Sequence, residues 1–288
     1  MIFKMIDVFC STGGTKGSSI DAAHFLISNG ISNIELSGGI YEPECVNEIK
    51  KLTTAGVKIM LHNYYPVPKE SFVLNIASKN KSILDKSLAF LHKSIAMASE
   101  IGSLRFAIHA GFLVDPSPEL LGKPFELYPI TNEEQALEIF SKSLHILNQV
   151  AKSYNVQLYV ENNVISRANF LKYNQNIFLM TSHEDFKILF EEFNGDIKLL
   201  LDVGHLKVSS TTLGKDLKNE LEFSNNFTSA YHLHDNYGFN DDHLIFDMET
   251  VWFKNSLISN PDFIILEDHE FKNPELPKLI QNIQRIFQ

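Results

Sequence analysis

The sequence predicts an α/β fold in which eight parallel strands close into a (βα)8 TIM barrel. Strand-like and helix-like segments alternate along the chain, the strand-like segments are almost continuously apolar, and no linker-like stretch interrupts the alternation. A length of 288 residues is usual for one such domain, so residues 1–288 are predicted to form a single barrel. An open, doubly wound sheet is the alternative, but it usually has fewer units and leaves two edges to protect.

Each element of the predicted barrel follows from a local pattern of apolar residues. The predicted strands span residues 5–9, 33–36, 57–61, 104–108, 157–160, 197–201, 228–233 and 263–266. The helices show helical spacing, as in the third one, where Leu84, Leu88, Leu91 and Ile95 recur every three or four residues. The predicted helices span residues 20–29, 43–55, 81–101, 133–154, 184–193, 214–223, 249–259 and 275–287.

Composition argues against several classes of protein. The formal net charge is −10, with 25 Lys and Arg against 35 Asp and Glu, and this disfavours a broad nucleic-acid footprint. A local basic patch or bound metal ions would still allow one. No stretch reaches the roughly 18 apolar residues of a membrane span, and the N-terminus does not resemble a signal peptide. Only Cys10 and Cys45 are present, which favours a reducing, cytoplasmic location.

The segment from Tyr231 to His243 has the highest density of metal-competent side chains. It follows the seventh predicted strand and contains three histidines and three aspartates. Strand residues two apart point to the same face, so His232 and His234 are expected to project together. Imidazole and carboxylate groups at this density are typical ligands of zinc or manganese. We expect His232 to lie one layer below His234 inside the barrel, where its role is packing.

Metal-competent side chains also end most of the predicted strands. The residues at the ends of strands three to eight are His62, His109, Glu161, Asp202, His234 and Glu267. In a barrel these ends meet on one face, where the active sites of the fold lie. His205, Asp241 and His243 follow in loops on the same face. Any one of these residues has an ordinary structural explanation, such as a helix cap, but that explanation does not account for the whole set.

Seven short motifs in this order resemble the xylose isomerase-like TIM-barrel superfamily, which includes AP endonuclease family 2. The motifs are Leu61-His62, Ile108-His109-Ala-Gly111, Val160-Glu161-Asn162, Leu201-Asp202-Val-Gly-His205, His232-Leu-His-Asp-Asn236, Asp241-Asp-His243 and Leu266-Glu267. The similarity covers nearly the whole chain. The superfamily contains sugar-phosphate isomerases and epimerases, inosose dehydratase-like enzymes and endonuclease IV repair enzymes.

The resemblance implies two different sites on the same barrel. The core metal ligands that it implies are Glu161, Asp202, His234 and Glu267. In the epimerase branch, the glutamates matching Glu161 and Glu267 also move protons on the two faces of the substrate carbon. In the endonuclease IV branch, a three-zinc cluster is completed at the positions of His62, His109, His205, Asp241 and His243.

The favoured hypothesis is a metal-dependent isomerase or epimerase that acts on a sugar, sugar phosphate or polyol through an enediolate. One divalent ion, zinc or manganese, is expected, and the ligand set allows up to three. The candidate substrate-binding residues are His205, Lys69, Glu35 and, further, Arg105. For Glu35, which ends the second strand, a buried pairing is an equal alternative.

Two other hypotheses stay open at this point. A multi-zinc phosphodiesterase acting on abasic DNA or another phosphoester is the alternative enzyme. The loop at residues 37–44 lacks basic residues, which disfavours DNA as its substrate. A barrel that binds a sugar or a metal without turnover is the third hypothesis. No membrane partner is expected, and the sequence is compatible with a homo-oligomer.

Overall fold

The computed structural model describes residues 6–245, 260–270 and 272–287. Within them, eight parallel strands form one sheet in the order β3-β2-β1-β8-β7-β6-β5-β4. The strands are β1 (Val8–Ser11), β2 (Asn33–Leu36), β3 (Lys58–Leu61), β4 (Arg105–His109), β5 (Gln157–Glu161), β6 (Lys198–Asp202), β7 (Thr228–Leu233) and β8 (Ile264–Leu266). Because β1 pairs with both β2 and β8, the sheet curls into a nearly closed barrel. The predicted barrel is confirmed, and the doubly wound alternative is wrong.

Helices surround this sheet. The described helices are α1 (Ser19–Ser28), α2 (Cys45–Thr54), α3 (Lys81–Glu100), α4 (Glu133–Ser153), α5 (Arg167–Tyr173), α6 (His183–Phe193), α7 (Val203–Leu213), α8 (Leu217–Ser224) and α9 (Leu276–Ile286). The sequence patterns do not predict α5 and α7, and the helix predicted at residues 249–259 lies outside the described residues. None of the described helices is long and apolar enough to cross a membrane.

The barrel interior is a small apolar layer that lies below the metal-competent residues. It consists of Phe9, Met60, Ala107, Tyr159, Leu200, Ala230, Phe263 and Ile265, all buried. Side chains alternate between the two faces of a strand, so the residue two positions further along also points inward. Glu161 therefore lies above Tyr159, Asp202 above Leu200 and His232 above Ala230.

The seam between β3 and β4 has no hydrogen-bonded ladder in the described part of the sheet. Side chains connect the two strands instead: Asn63 Oδ1 accepts a hydrogen bond from the backbone N–H of His109 at 3.3 Å. Asn75 then joins the loops that follow these strands, because its amide donates to the carbonyls of Phe112 and Val114. These contacts fix the two long loops that cover this side of the barrel.

Candidate metal centre

Four buried side chains meet at the centre of the carboxyl-end rim. They are Glu161, Asp202, His232 and Glu267, each at most 6 % exposed. Nδ1 of His232 lies 3.2 Å from Glu161 Oε1, 3.1 Å from Glu267 Oε2 and 3.8 Å from Asp202 Oδ2. Sequence reasoning placed His234 in this group and gave His232 a packing role. The structure places His232 there, because it pairs in register with Asp202 and projects inward above Ala230.

Glu35 lies behind His232 and away from the substrate side. Its Oε1 is 3.3 Å from Nε2 of His232, and the residue is only 1 % exposed. Of the two roles predicted for Glu35, the structure has the buried pairing, and its partner is a metal-competent histidine. A carboxylate in this position orients the ring and leaves Nδ1 directed at the other carboxylates, as in carboxylate–histidine–metal arrangements.

A second group lies beside the first, next to the seam of the barrel. It consists of His62, His109 and Glu161. Oε2 of Glu161 is 4.0 Å from Nε2 of His62 and 3.7 Å from Nε2 of His109. Glu161 thus belongs to both groups, and its two oxygens are directed at different sets of imidazoles.

The third group combines His205, His234, Asp241 and His243. Oδ2 of Asp241 is 3.2 Å from Nε2 of His205 and 3.0 Å from Nε2 of His243. Nε2 of His234 is 3.6 Å from Oδ1 of Asp241 and 3.1 Å from Asp202, so Asp202 connects this group to the first.

Backbone carbonyls determine which ring nitrogen is available in this third group. Nδ1 of His205 is 2.9 Å from the carbonyl of Asn162, and Nδ1 of His243 is 3.0 Å from the carbonyl of Glu267. A carbonyl only accepts, so both Nδ1 atoms donate, and Nε2 is the ring nitrogen left for a metal ion that displaces its proton. Both Nε2 atoms are directed at Asp241, which is the arrangement that a shared metal ion requires.

Gly204, in the first turn of α7, makes room for His234. A Cβ atom at position 204 would lie 2.0 Å from Cε1 of the His234 ring, far inside van der Waals contact. Asp202 begins the same helix, because its Oδ1 accepts a hydrogen bond from the N–H of His205 at 2.6 Å. The Asp202-Val-Gly-His205 motif therefore supplies the helix N-cap, a position without a side chain and a candidate metal ligand within four residues.

Unpaired buried atoms show that these side chains fit divalent ions. Hydrogen bonds are absent, among the described atoms, at both carboxylate oxygens of Glu161, both ring nitrogens of His232, Nδ1 of His234 and Oδ1 of Asp241. Leaving such atoms buried without partners costs free energy, and native structures do so rarely. Imidazole nitrogens and carboxylate oxygens are the ligands that zinc and manganese prefer. A divalent ion would satisfy the orphaned atoms of each group.

The electrostatics of the rim favour ionised carboxylates. Burial would raise the pKa of Glu161, but the charges of His109 and His232 lower it to about 2. Burial also opposes ionisation of Glu267, yet His232 holds the pKa of Glu267 well below its usual range. Burial lowers the pKa of His109, which favours the neutral ring. Nearby carboxylates act in the opposite direction on three other rings: although burial opposes the charged form, they raise the pKa of His205 and His232 well above the ordinary value and that of His243 to about 9. Bound metal ions would take the place of these ring protons, because metal ions bind ionised carboxylates and neutral imidazoles.

A cavity of about 430 Å³ opens above the metal-competent groups. His62, His109, His205, Asp241, His243 and Glu267 line one side of it. The opposite side is largely apolar and consists of loop residues outside the seven motifs. Its residues are Tyr64, Leu74, Phe112, Leu121, Phe125 and Phe178.

Two predicted substrate-binding residues are elsewhere. Lys69 is exposed and does not line the cavity. Arg105 begins β4, so it lies at the amino end of the barrel, where its guanidinium is 3.4 Å from Asp7. The cation that does line the cavity is Lys123, in the loop between β4 and α4. No motif pointed to Lys123.

A (βα)8 barrel whose carboxyl-end rim presents imidazole and carboxylate groups in a metal-ligating arrangement defines a broad class of TIM-barrel proteins. The chain belongs to one family within it, the xylose isomerase-like TIM barrel, whose model matches residues 26–274. The resemblance inferred from the seven motifs is thereby confirmed.

Solved structures share this fold over nearly the whole chain. A D-tagatose 3-epimerase-like protein is 18 % identical with a TM-score of 0.68, covering 97 % of this chain and 98 % of that chain. Endonuclease IV from Thermus thermophilus is 16 % identical with a TM-score of 0.53, covering 98 % of both chains. A D-tagatose 3-epimerase-like protein and an endonuclease IV therefore share this fold.

One curated relative is similar in sequence. The uncharacterized protein MJ1614 of Methanocaldococcus jannaschii is 27 % identical over 182 residues, which is 63 % of this chain. The aligned segment spans 60 % of the length of that relative.

Proposed function

We propose that the protein is a metal-dependent hydrolase that cleaves a small phosphoester. The main support is the presence of three adjacent ligand groups instead of one. A sugar isomerase with one metal ion needs a single four-residue group, such as Glu161, Asp202, His232 and Glu267. That function gives no metal-binding role to the other six converging residues, which are His62, His109, His205, His234, Asp241 and His243.

The proposed reaction consumes one water molecule. A P–O bond forms to the water oxygen, the P–O bond to the leaving group breaks, and the leaving oxygen takes up a proton. Divalent ions bound at the rim would supply Lewis acidity, which lowers the pKa of water and offsets negative charge on the phosphoryl group.

The chain's own residues would prepare the site for this chemistry. His205 and His243 are fixed by their carbonyl contacts, so they need no reorganisation when substrate enters. Phe112 and Phe178 on the opposite side of the cavity would exclude bulk water. A cavity of about 430 Å³ suits a small molecule better than a DNA duplex.

Metal analysis combined with a chromogenic phosphodiester tests the proposal. We expect two or three zinc or manganese ions per chain, together with release of p-nitrophenolate from bis(p-nitrophenyl) phosphate. Incision of a duplex with an abasic site is the parallel assay for a nucleic-acid substrate. A single ion per chain, with no cleavage of phosphomonoesters, phosphodiesters or abasic DNA, would contradict the proposal.

A sugar isomerase or epimerase is the second candidate, and one contact favours it. Glu161 and Glu267 both lie beside Nδ1 of His232, at 3.2 and 3.1 Å, so the two carboxylates are close enough to exchange protons with one substrate carbon. This reaction moves a carbon-bound proton through an enediolate, whereas hydrolysis does not. Deuterium entering a sugar or sugar phosphate from D₂O, without loss of phosphate, would favour the isomerase.

A further inference from the structure

The cavity has two chemically different sides, and the side away from the metal-competent residues has a defined aromatic surface. We call Phe112, Phe125 and Phe178 the aromatic wall. The rings of Phe112 and Phe178 are 5.2 Å apart and nearly perpendicular, and those of Phe125 and Phe178 are 5.7 Å apart. Such rings favour contact with another flat, apolar group.

Backbone hydrogen bonds hold the aromatic wall in place without a ligand. Residues Phe112 and Phe178 form an antiparallel bridge although they belong to different loops. Next to it, the N–H of Leu113 donates to the carbonyl of Ile177 at 2.8 Å, and that of Leu179 donates to Gly111 at 3.0 Å. A preformed apolar surface loses little conformational entropy when it binds a ligand.

Most polar side chains on this side already have partners. The amide of Asn163 donates to three backbone carbonyls. Oδ1 of Asn169 accepts from the N–H of Phe125 at 2.8 Å, and Oγ of Ser166 accepts from Asn169. A polyol needs a partner for each buried hydroxyl, and an unpaired hydroxyl in an apolar site is costly. This side of the cavity therefore suits a flat apolar group better than a sugar.

One permanent positive charge lies at the cavity. Among the described residues that line it, Lys123 is the sole lysine or arginine. Lys123 lies in the loop between β4 and α4, two residues before Phe125 of the aromatic wall. An ammonium group opposite a metal-competent rim complements an anionic substrate.

We infer that the substrate is an anionic phosphoester joined to a flat aromatic group, and that this group packs on the aromatic wall. The inference rests on the proposed hydrolase function and specifies its substrate class. A phenyl ring and a nucleobase share the chemistry required, so both are included in the test.

Calorimetric titration of the zinc-loaded protein with phosphonates measures recognition without turnover, because their C–P bond is not an ester. We expect phenylphosphonate to bind about tenfold or more tightly than methylphosphonate, since only the former places a ring on the aromatic wall. A nucleoside 5′-phosphonate and a hexose phosphonate complete the series. Tighter binding of the nucleoside compound than of phenylphosphonate identifies the ring as a nucleobase, and the reverse order identifies a smaller aryl group.

Variants of the aromatic wall give the matched comparison. Phe112→Leu keeps an apolar side chain but removes the ring, so we expect the preference for phenylphosphonate to fall several-fold. Phe178→Leu gives a second, independent measurement at a more buried position. Phe223→Leu, which alters a 52 % exposed ring on α8, should leave the preference unchanged.

The possible failures are distinguishable. Equal binding of phenylphosphonate and methylphosphonate would overturn the inference about the aromatic group and leave the hydrolase proposal standing. Tighter binding of the hexose phosphonate than of either aromatic compound would also overturn it. Absence of binding by every phosphonate would contradict the hydrolase proposal itself, and the inference with it.

Discussion

Carboxylates at the two ends of the barrel have different kinds of partner. At the amino end, Asp7 and Asp262 each have a lysine or arginine as a partner. Asp7 lies 2.6 Å from the ammonium of Lys58 and 3.4 Å from the guanidinium of Arg105. Asp262 lies 2.6 Å from Lys198 and accepts a hydrogen bond from Tyr159 at 2.8 Å. These two carboxylates therefore have cationic partners without any ligand.

At the carboxyl end, the described ion-pair partners of Glu161, Asp202 and Glu267 are all histidines. Carboxylates and imidazoles gathered out of water carry a large desolvation cost, which incomplete pairing does not recover. We infer from this difference that the carboxylates of the rim bind added metal cations, whereas those of the amino end stabilise the fold. In barrels of this type, these are the usual roles of the two ends.

The largest effect is expected from removing one charge at the rim. Glu161→Gln takes a carboxylate from two ligand groups at once, so both lose affinity for metal. We expect activity to fall roughly 10³-fold or more, as when several kcal/mol of transition-state stabilisation are lost. Elemental analysis should show fewer ions per chain than in the parent protein.

Asp7→Asn is the matched control, because it removes a carboxylate from the opposite end of the same barrel. Its metal content and activity should equal those of the parent protein at a temperature where both are folded. If Glu161→Gln retained the full metal complement, or Asp7→Asn lost metal, the assignment of different roles to the two ends would be wrong.

An intermediate effect is expected at Glu35, which touches the rim from below. Glu35→Gln keeps the size of the side chain but weakens the contact that orients the His232 ring. We expect metal affinity to fall about 10–100-fold, as is typical when a partner of a ligating histidine is replaced. Competition with a chelator of known affinity measures this directly. A lower melting temperature with unchanged metal affinity would show that Glu35 only stabilises the fold.

Sequence reasoning reached the barrel and most of the rim because both depend on short-range patterns. A strand end is visible locally, and the fold brings all eight ends together, so Glu161, Asp202 and Glu267 could be grouped without coordinates. Sequence patterns did not identify which histidine joins Glu161, Asp202 and Glu267: they indicated His234, and the structure has His232. Both point to the same face, and only the register of β7 against β6 pairs His232 with Asp202. Strand register depends on the whole sheet, so the motif alone does not determine it.

The substrate side of the cavity was harder to predict, for a different reason. Phe112 and Phe178 are far apart in sequence and meet through a single bridge between irregular segments. Neither lies in a periodic element, so no pattern relates them. The same holds for the cation: Lys69 and Lys123 both follow strands in long loops, and only the path of the chain decides that Lys123 lines the cavity.

The smallest effect is expected from pH at the amino end. Burial would raise the pKa of Asp7, but Lys58 and Arg105 lower it below its ordinary value of 3.8. The unfolded chain therefore binds more protons than the folded one in this range, so stability falls as the pH is lowered. The contribution of Asp7 is complete above 3.8 and is lost as the pH falls through the folded-state pKa.

Melting curves of Asp7→Asn and the parent protein across the acid range measure this contribution. The difference in free energy of unfolding between the two proteins should be largest near neutral pH and should disappear in acid. Solvent screening at this partly exposed pair limits the difference to about 1 kcal/mol or less. Both proteins should first be stripped of metal, because protons also displace ions from the rim and would add a second acid transition. If this difference in stability increased as the pH fell, Asp7 would not be stabilised as an anion by Lys58 and Arg105.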